Sequence, residues 1–356
     1  MKCYKKVFNK EGIINNVGFY IMSIIIFITL VLCILFKIKG YEKLKTIIDK
    51  SIQNKIGKDT KKKTNKKKIR HNPPKNIIKK RKLKEIKINM LKTNGESSNI
   101  STFELKNSKG NSIIGKNLLI NNNNILNTKF NVNYNDYEIN ILSYNEALKL
   151  DNREYFQYYF SLLKMKHILI FSFYTYSDYN SKSIKIILFL FSFSLHFIIN
   201  ALFFTEDIIH EIYIDQGYFI FHLPIITYST IIISFINKLI KYFSLSEKNI
   251  SEIKKEEKDI IEKRDKLLKC LIVKYIIFFI LVFLFLILFW YYLTCFCAIY
   301  YKSQIHLIKN TLISFSLPLL LQFVLYMLPG LFRITSLANR NEECMFKVGQ
   351  FIQFIF

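Results

Sequence analysis

The strongest constraint on this chain is a series of uninterrupted apolar stretches that are long enough to cross a membrane. They occupy 17–36, 184–204, 219–236, 275–300 and 311–332. An α-helix rises about 1.5 Å per residue, so about 20 apolar residues cross the ~30 Å hydrocarbon core of a bilayer. Backbone polar groups find no water inside lipid, and a helix satisfies them internally. The sequence therefore predicts an all-α, multi-span transmembrane helix bundle of about five spans.

The charged residues are segregated from these stretches. The chain is 51% hydrophobic and 22% charged, with a formal net charge of +26. Much of the positive charge lies in the segment 37–135, which is also rich in asparagine and poor in aromatic residues. Such a composition buries too little apolar surface to offset the loss of chain entropy on folding. The segment is therefore predicted to be a long disordered basic loop.

Loop charge predicts the orientation of the bundle, because cytoplasmic loops carry an excess of lysine and arginine. The loop 205–217 contains acidic residues and no Lys or Arg, whereas 37–183 and 237–274 are rich in lysine. This pattern places 37–183, 237–274 and the C-terminal tail 333–356 in the cytoplasm, with the short segment 1–16 outside. We expect a multi-pass membrane protein, with plasma membrane and endomembrane both open as its location.

The segment 136–183, which precedes the four-helix region 184–332, is predicted to be helical. Within it, 154–176 has the pattern of a helix that is rich in aromatic residues and also carries two lysines and a histidine. Amphipathic helices of this kind lie in the membrane interface with their apolar face towards lipid. An interfacial helix is the prediction, and a sixth span is the alternative.

The loop 237–274 also has a helical pattern. Four apolar residues share one heptad position: Leu239, Ile253, Ile260 and Leu267. Such a pattern, set among mixed charges, is typical of a helix that pairs with another helix. A helical cytoplasmic stalk over 237–269 that binds a helical protein partner is one interpretation. A simple amphipathic connector is the other.

Basic residues after the first span are candidates for contact with anionic membrane lipids. Cytoplasmic lysines close to a bilayer gain roughly 1 kcal/mol each from anionic headgroups. The candidate contacts are Lys37, Lys39, Lys43, Lys45, Lys61, Lys62, Lys63, Lys66, Lys67, Lys68 and Arg70. A solvated, compositionally biased linker is the alternative. No nucleic-acid partner is expected, because no aromatic residues interleave with this tract to stack on bases.

Polar residues inside the spans form a second candidate site. The candidates for an internal polar path are His196, Asn200, His222 and Gln322. Polar groups at membrane depth usually face the bundle interior. They favour either a pathway for a small cation or polar solute, with the acidic loop 205–217 at its outer mouth, or hydrogen bonding between helices. Of the two, hydrogen bonding between helices is the favoured interpretation.

The chain lacks the sequence motifs of common catalytic and transport sites. It has no Walker A loop and no GxGxxG, HExxH or GxSxG sequence, and no span carries an Asp or Glu in its core. We therefore expect neither enzymatic activity nor a cofactor or metal. The function predicted is that of a non-enzymatic membrane anchor or signalling scaffold. The alternative is a channel or transporter for a small cation or polar solute.

Three groups of residues carry a resemblance to a known kind of protein. They are CYKKVFNKEGIINNVGFY at 3–20, NEALKLD at 145–151 running into 155–174, and IHLIK at 305–309 leading to Pro329-Gly330. In these segments the chain resembles uncharacterised multi-span membrane proteins of AT-rich protists, ciliates especially. The resemblance implies a membrane bundle and no particular chemistry. It also implies that the chain corresponds to the C-terminal part of a longer surface protein.

Overall fold

The computed structural model describes residues 9–50, 52, 103–106, 112–115, 134–174, 178–204, 209–210, 219–255, 260–339 and 342–355. The prediction of an all-α bundle is confirmed. The helices are α1 (Lys10–Ile14), α2 (Val17–Leu35, continuing to Lys50), α3 (Asp136–Asn140), α4 (Tyr144–Leu150), α5 (Tyr155–Lys166), α6 (Ile168–Phe173), α7 (Lys182–Phe203), α8 (Phe219–Ser244), α9 (Glu247–Lys255), α10 (Ile260–Ile299), α11 (Gln304–Leu325), α12 (Met327–Asn339) and α13 (Glu343–Ile355).

The chain divides into two compact units. One comprises Met1–Lys61 and Tyr134–Phe356 and contains the helices. The other, Lys62–Asn133, contains a two-stranded antiparallel hairpin of β1 (Phe103–Lys106) and β2 (Ser112–Gly115). Phenylalanine and isoleucine in these strands favour extended backbone. The hairpin is thus an exception, among the described residues, to the disorder predicted for this part of the chain.

Four helical runs are long and apolar enough to cross a membrane, by length and composition. They are Val17–Lys50, Lys182–Phe203, Glu262–Ile299 and Tyr301–Asn339. The stretch 219–236, predicted as a fifth span, lies in helix α8, which is 26 residues long. Helix α8 is not among the four, and the side chains at its start lie outside the described residues.

Helices α2 and α10 pack against each other in antiparallel directions. At one end of the pair, the Asn16 side chain donates a hydrogen bond to the carbonyl oxygen of Thr294 at 2.8 Å. A Cβ atom on Gly18 would lie 2.8 Å from the Cys297 sulfur and 2.9 Å from the Leu293 carbonyl oxygen. Both distances are shorter than ordinary contacts, so the absence of a side chain at Gly18 lets the two backbones approach.

The same pair continues far beyond this contact. The rings of Phe36 and Tyr275 lie 5.1 Å apart. Further along, Arg264 forms a two-point ion pair with Asp49, with Nε and Nη2 at 2.6 and 3.0 Å from the two carboxylate oxygens. At 1.5 Å per residue, the 34 residues of Val17–Lys50 measure about 51 Å, roughly 20 Å more than a hydrocarbon core. The pair is therefore longer than a hydrocarbon core is thick.

This continuation corrects the predicted start of the disordered loop at residue 37. Helix α2 passes through a π-helical turn, Phe36–Gly40, and remains helical to Lys50. Leu44, Ile48 and Ile52 are buried in the main apolar cluster of the bundle, and this burial stabilises the extension. The helical spacing of these apolar residues was not recognised in the sequence because lysines lie between them. The remainder of the loop, apart from β1 and β2, lies outside the described residues.

The stalk predicted over 237–269 is in part the basic end of α10. Of the four residues that share its heptad position, Leu267 is buried, Ile253 is half-buried and Leu239 is exposed. The Ile260 side chain lies outside the described residues. Because α10 pairs with α2, this chain itself supplies one helical partner. A further protein partner stays a prediction.

The segment predicted as an interfacial helix over 154–176 breaks at His167 into α5 and α6. Helix α5 packs along α11 and α12 through the fully buried Tyr158. The Tyr159 hydroxyl donates a hydrogen bond to the Phe323 carbonyl at 3.0 Å, and His167 Nε2 lies 3.1 Å from the Leu319 carbonyl. Phe156 stays exposed, so contact of this segment with lipid remains a prediction.

The predicted tail 333–356 is a continuation of the bundle. Helices α12 and α13 form a hairpin that brings Gly349 against the other helix. A Cβ atom there would lie 3.2 Å from the Arg333 nitrogen and from the Pro329 carbonyl oxygen. The absence of a side chain at Gly349 therefore lets α13 pack closely against α12.

Candidate functional site at the basic end of the bundle

One end of the bundle collects most of the described charged side chains. Gly40, Ser181 and Ser246 mark this end, which we call the basic end. A Cβ atom on Gly40 would lie 2.9 Å from the Ser181 hydroxyl oxygen, so the entry to α7 touches the π-helical turn of α2. The Ser246 backbone N–H donates to the Asn180 side-chain oxygen at 3.0 Å, which joins the loop before α9 to the loop before α7.

The predicted lipid contacts on α2 begin at this end. Lys37, Lys39 and Lys43 are exposed, and Lys45 is half-buried. On the same part of the helix, Phe36 is buried against Tyr275 of α10, with ring centres 5.1 Å apart. The other predicted lipid contacts, Lys61, Lys62, Lys63, Lys66, Lys67, Lys68 and Arg70, lie outside the described residues.

A buried group of arginines around Asp151 joins the predicted tail to the segment before α7. The Arg333 side chain lies 3.0 Å from Asp151, and the side-chain exposures are 1% and 0%. The Arg153 Nε lies 2.7 Å from the other carboxylate oxygen of Asp151. Arg333 also donates to the backbone carbonyls of Ile139 and Asn140, at 2.9 and 3.2 Å.

The carboxylate of Asp151 is held charged by these neighbours. Burial by itself would raise the pKa of Asp151, but hydrogen bonds and positive charge from Arg153 and Arg333 outweigh burial and lower the pKa. The centre of the Tyr158 ring lies 5.3 Å from the Arg153 guanidinium carbon and 5.4 Å from that of Arg333. The charged groups of Asp151, Arg153 and Arg333 are therefore all paired with one another, as expected of a contact that stabilises the fold.

Two more ion pairs anchor the segment 136–183, one to α7 and one to α9. Lys185 at the start of α7 lies 2.6 Å from the Asp178 carboxylate. Lys254 on α9 lies 2.9 Å from Glu138, which also accepts a hydrogen bond from the Tyr179 hydroxyl at 3.2 Å. Each lysine at these two positions is matched by a carboxylate.

Glu247 lies beside these pairs and differs from them. Its side chain is 5% exposed, and its Oε1 atom has no hydrogen-bond partner among the described residues. Burial, with the nearby charge of Asp178, raises the pKa of Glu247 to about 8. At neutral pH this carboxyl group is therefore mostly protonated.

The predicted polar path is only partly assembled. Asn200 Nδ2 donates to the Ser314 hydroxyl at 2.6 Å and lies 3.5 Å from the Thr311 hydroxyl. His196 is buried with its ring centre 5.2 Å from that of Phe315, and its Nδ1 atom has no partner among the described residues. The amide of Asn200 thus links α7 to α11.

Two members of the predicted path do not join this contact. Gln322 keeps a buried Oε1 atom without a hydrogen-bond partner in the described part of the chain. The side chain of His222, in α8, lies outside the described residues. Among the described residues, no hydrogen bond joins His196 or Gln322 to Asn200.

Sequence reasoning missed the Asp151 and Glu247 groups. The signal for Arg333 was present: it is a single basic residue within an apolar helical stretch, with Phe332 before it and Ile334 after it. A charge on the apolar face of a helix is a sign of a buried partner. No comparable signal marked Glu247, which stands in a loop full of charged residues.

The described residues contain no group of three or more His, Cys, Asp or Glu side chains that could hold a metal ion. Comparisons of this chain with protein-family models, with curated proteins and with solved structures found no match.

Proposed function

We propose that this protein is a non-enzymatic membrane anchor whose spans hold a basic helix pair against an anionic membrane surface. The observation that carries the proposal is the extension of the α2 and α10 pair about 20 Å past the length of a hydrocarbon core. Lys37, Lys39 and Lys43 are exposed on the part of α2 that leaves the apolar span. Lysines in that position gain roughly 1 kcal/mol each near anionic lipids.

Rigid attachment is supported by how the extension is held. The two-point ion pair between Asp49 and Arg264 fixes the helices to each other beyond the span. Bidentate arginine–carboxylate pairs restrict geometry more than single contacts do. The lysines are thereby presented on a fixed surface. This suits a scaffold whose basic helix pair is held in one position at the membrane surface.

The proposal is tested by measuring which lipids stay with the purified protein. The full chain is reconstituted in vesicles of phosphatidylcholine and phosphatidylserine, extracted in mild detergent, and its bound lipids are counted by mass spectrometry. We expect phosphatidylserine to be enriched over its share in the vesicles. The variant K37Q/K39Q/K43Q/K45Q is expected to lose the enrichment, and high salt is expected to weaken it.

The matched control removes charge from the opposite end of the bundle. Lys10, Lys302 and Lys309 are exposed there. The variant K10Q/K302Q/K309Q is expected to keep the enrichment of phosphatidylserine. Equal loss in both variants would show that net charge alone attracts these lipids, and no enrichment in the unmodified chain would contradict the proposal.

A second candidate function is transport of a small cation or polar solute. The observation that favours it is that the buried atoms His196 Nδ1 and Gln322 Oε1 find no hydrogen-bond partner among the described residues, because unpaired polar groups inside a bundle are costly. Proton or potassium flux into sealed vesicles that contain the protein tests this function. Flux abolished by H196A would support it, and flux no greater than in empty vesicles would contradict it.

A further inference from the structure

Helices α12 and α13 bury polar side chains and expose apolar ones. On α12, Arg333 and Ser336 are buried, whereas Leu331 is 50% exposed. On α13, the side-chain oxygen of Gln353 accepts a hydrogen bond from the hydroxyl of the buried Tyr158 at 3.0 Å. A helix at the surface of a globular protein turns its apolar stripe towards the core and its polar face outward. The hairpin of α12 and α13 has the reverse arrangement.

The outer face of α13 is a strip of apolar side chains, Val348, Phe351, Phe354 and Ile355. Phe351 and Phe354 are three residues apart, so they lie on the same side of the helix, and they are 63% and 77% exposed. Gln350 on the inner face donates a hydrogen bond to the Leu142 carbonyl at 3.0 Å, which holds the strip facing outward. Contiguous apolar surface of this kind marks a site of contact with a membrane or with another protein.

The character of this outer face changes along α13. Its first part is charged, because Glu343 and Lys347 are exposed and form an ion pair at 2.9 Å. The two exposed phenylalanines follow one and two turns after Lys347. Gly349 lies against Pro329 near the start of α12, so the residues after Gly349 run back towards the junction of α12 with α11. The apolar end of α13 is therefore the end nearer to α11, which is part of the membrane-length run Tyr301–Asn339.

The apolar end of α13 also meets α8. Lys238 Nζ on α8 donates a hydrogen bond to the Ile355 carbonyl at 3.1 Å and lies 5.8 Å from the centre of the Phe354 ring. Phe235, one turn before Lys238, is 74% exposed and belongs to the apolar stretch 219–236. Lysines near the ends of membrane helices reach towards the interface from an apolar surface in this way. The contact therefore places the end of α13 where an apolar helix stretch gives way to basic residues.

We propose that α13 is an interfacial helix whose outer face, from Val348 to Ile355, lies among the acyl chains of membrane lipids just below their headgroups. The 13 residues of α13 measure about 20 Å, which is less than the ~30 Å of a hydrocarbon core. Helices with one apolar face insert that face about 5–10 Å into the boundary between headgroups and acyl chains. Glu343 and Lys347 then lie at the water-facing end of the helix. The predicted tail 333–356 is thereby assigned to the membrane surface instead of to water.

The test uses the full chain in phosphatidylcholine vesicles, with tryptophan fluorescence as the readout. Trp290 is the single tryptophan of the sequence, so W290F provides a background into which F351W, F354W and the control K347W are introduced one at a time. Lys347 is exposed on the same helix, at its charged end. Lipids with brominated acyl chains quench a tryptophan that contacts lipid, and acrylamide quenches one that contacts water. We expect brominated lipid to quench F351W and F354W several-fold more strongly than K347W, and acrylamide to give the reverse order.

Two results would overturn the inference. Equal quenching of all three variants by acrylamide, with none by brominated lipid, would place the outer face of α13 in water. Protection of F354W from both quenchers would show that protein covers this face, either a second copy of the chain or another partner.

A second measurement needs no substitution. The unmodified chain is irradiated in vesicles that contain phosphatidylcholine with a photoreactive diazirine in its acyl chain, and the labelled peptides are identified by mass spectrometry. We expect label within 348–355 and little within 343–347. A chain labelled in its apolar spans but not within 348–355 would contradict the inference.

The inference goes beyond the proposed function, because acyl chains and not anionic headgroups cover this face. Phosphatidylcholine carries no net charge, so attraction between the lysines on α2 and anionic lipids has no part in either measurement. The variant K37Q/K39Q/K43Q/K45Q, combined with W290F and F354W, is expected to keep the quenching by brominated lipid. Loss of that quenching in the combined variant would show that the position of α13 depends on the lysines of α2, and would contradict the inference.

Discussion

Arg333 and Asp151 form an ion pair that is almost completely withdrawn from solvent, although 182 residues separate them in the chain. Arg333 belongs to α12, and Asp151 follows α4. The pair closes the C-terminal helices onto the segment before α7. Removal of one partner from a buried ion pair leaves an uncompensated charge. We therefore expect this contact to be important to the stability of the fold.

The variant D151N is expected to lower the free energy of unfolding by about 3–5 kcal/mol, since it leaves the buried guanidinium group of Arg333 and the half-buried one of Arg153 without a carboxylate. Denaturant titration of the detergent-solubilised chain measures the change. The exposed pair of Glu343 and Lys347 provides the control, and E343Q is expected to cost no more than about 1 kcal/mol. Equal effects of D151N and E343Q would contradict the structural role of Asp151.

The carboxyl group of Glu247 is expected to make stability fall as pH rises. Its pKa is raised from 4.5 to about 8, so between these values the folded chain holds a proton that the unfolded chain releases. Its contribution is fully present below pH 4.5 and is lost as the pH reaches about 8.

The measurement is the free energy of unfolding of the unmodified chain minus that of E247Q, followed across this pH window. We predict that the difference declines with rising pH. The variant E252Q, at an exposed position on the same helix, is expected to follow the unmodified chain. A difference between the unmodified chain and E247Q that does not change with pH would show that Glu247 is ionised in the folded state.

Gly18 is expected to tolerate no side chain. In G18A the new Cβ would meet the Leu293 carbonyl oxygen at 2.9 Å, and this neighbour is backbone that cannot rotate away. Overpacking of this kind costs about 1–3 kcal/mol. The control I24A, at an exposed position on the same helix, is expected to cost less. Thermal unfolding in detergent measures the effect of both variants. Equal unfolding temperatures for G18A and I24A would contradict the close approach of α2 and α10.

The contact between Asn200 and Ser314 is expected to contribute to packing. A double-mutant cycle with N200A, S314A and the combined variant should give a coupling energy of about 0.6 kcal/mol, with about 1.7 kcal/mol as the upper end for such bonds in membrane bundles. Unfolding free energies measure it. No coupling, together with a loss of vesicle flux in N200A, would support the transport interpretation instead.

The parts of the fold that could be predicted from sequence are those fixed by hydrophobicity alone. The hydrophobicity of the apolar stretches over 17–36 and 275–300 outweighs any other feature of the local sequence. Both stretches are helical in the structure. The continuation of α2 to Lys50 was hidden because Leu44 and Ile48 are buried in an apolar cluster whose other members are distant in the sequence, and because Asp49 finds its partner, Arg264, 215 residues away.

The residues of the candidate sites could likewise be predicted only where the local sequence marks them. Asn200 was found because a polar residue in an apolar helix is conspicuous. Its hydrogen-bond partners, Thr311 and Ser314, were not found from the sequence, because small hydroxyl residues are common in membrane helices.

The most direct test of the membrane account is glycosylation mapping of the full chain expressed with microsomes. The sequence Asn249-Ile-Ser251, in α9 at the basic end, is a natural acceptor and needs no engineering. Acceptors added within 205–217 and 301–310 report on the opposite end. We predict modification at the added sites and none at Asn249, with the basic end in the cytoplasm. Modification at Asn249 would place the basic end outside and contradict its proposed contact with the anionic cytoplasmic leaflet.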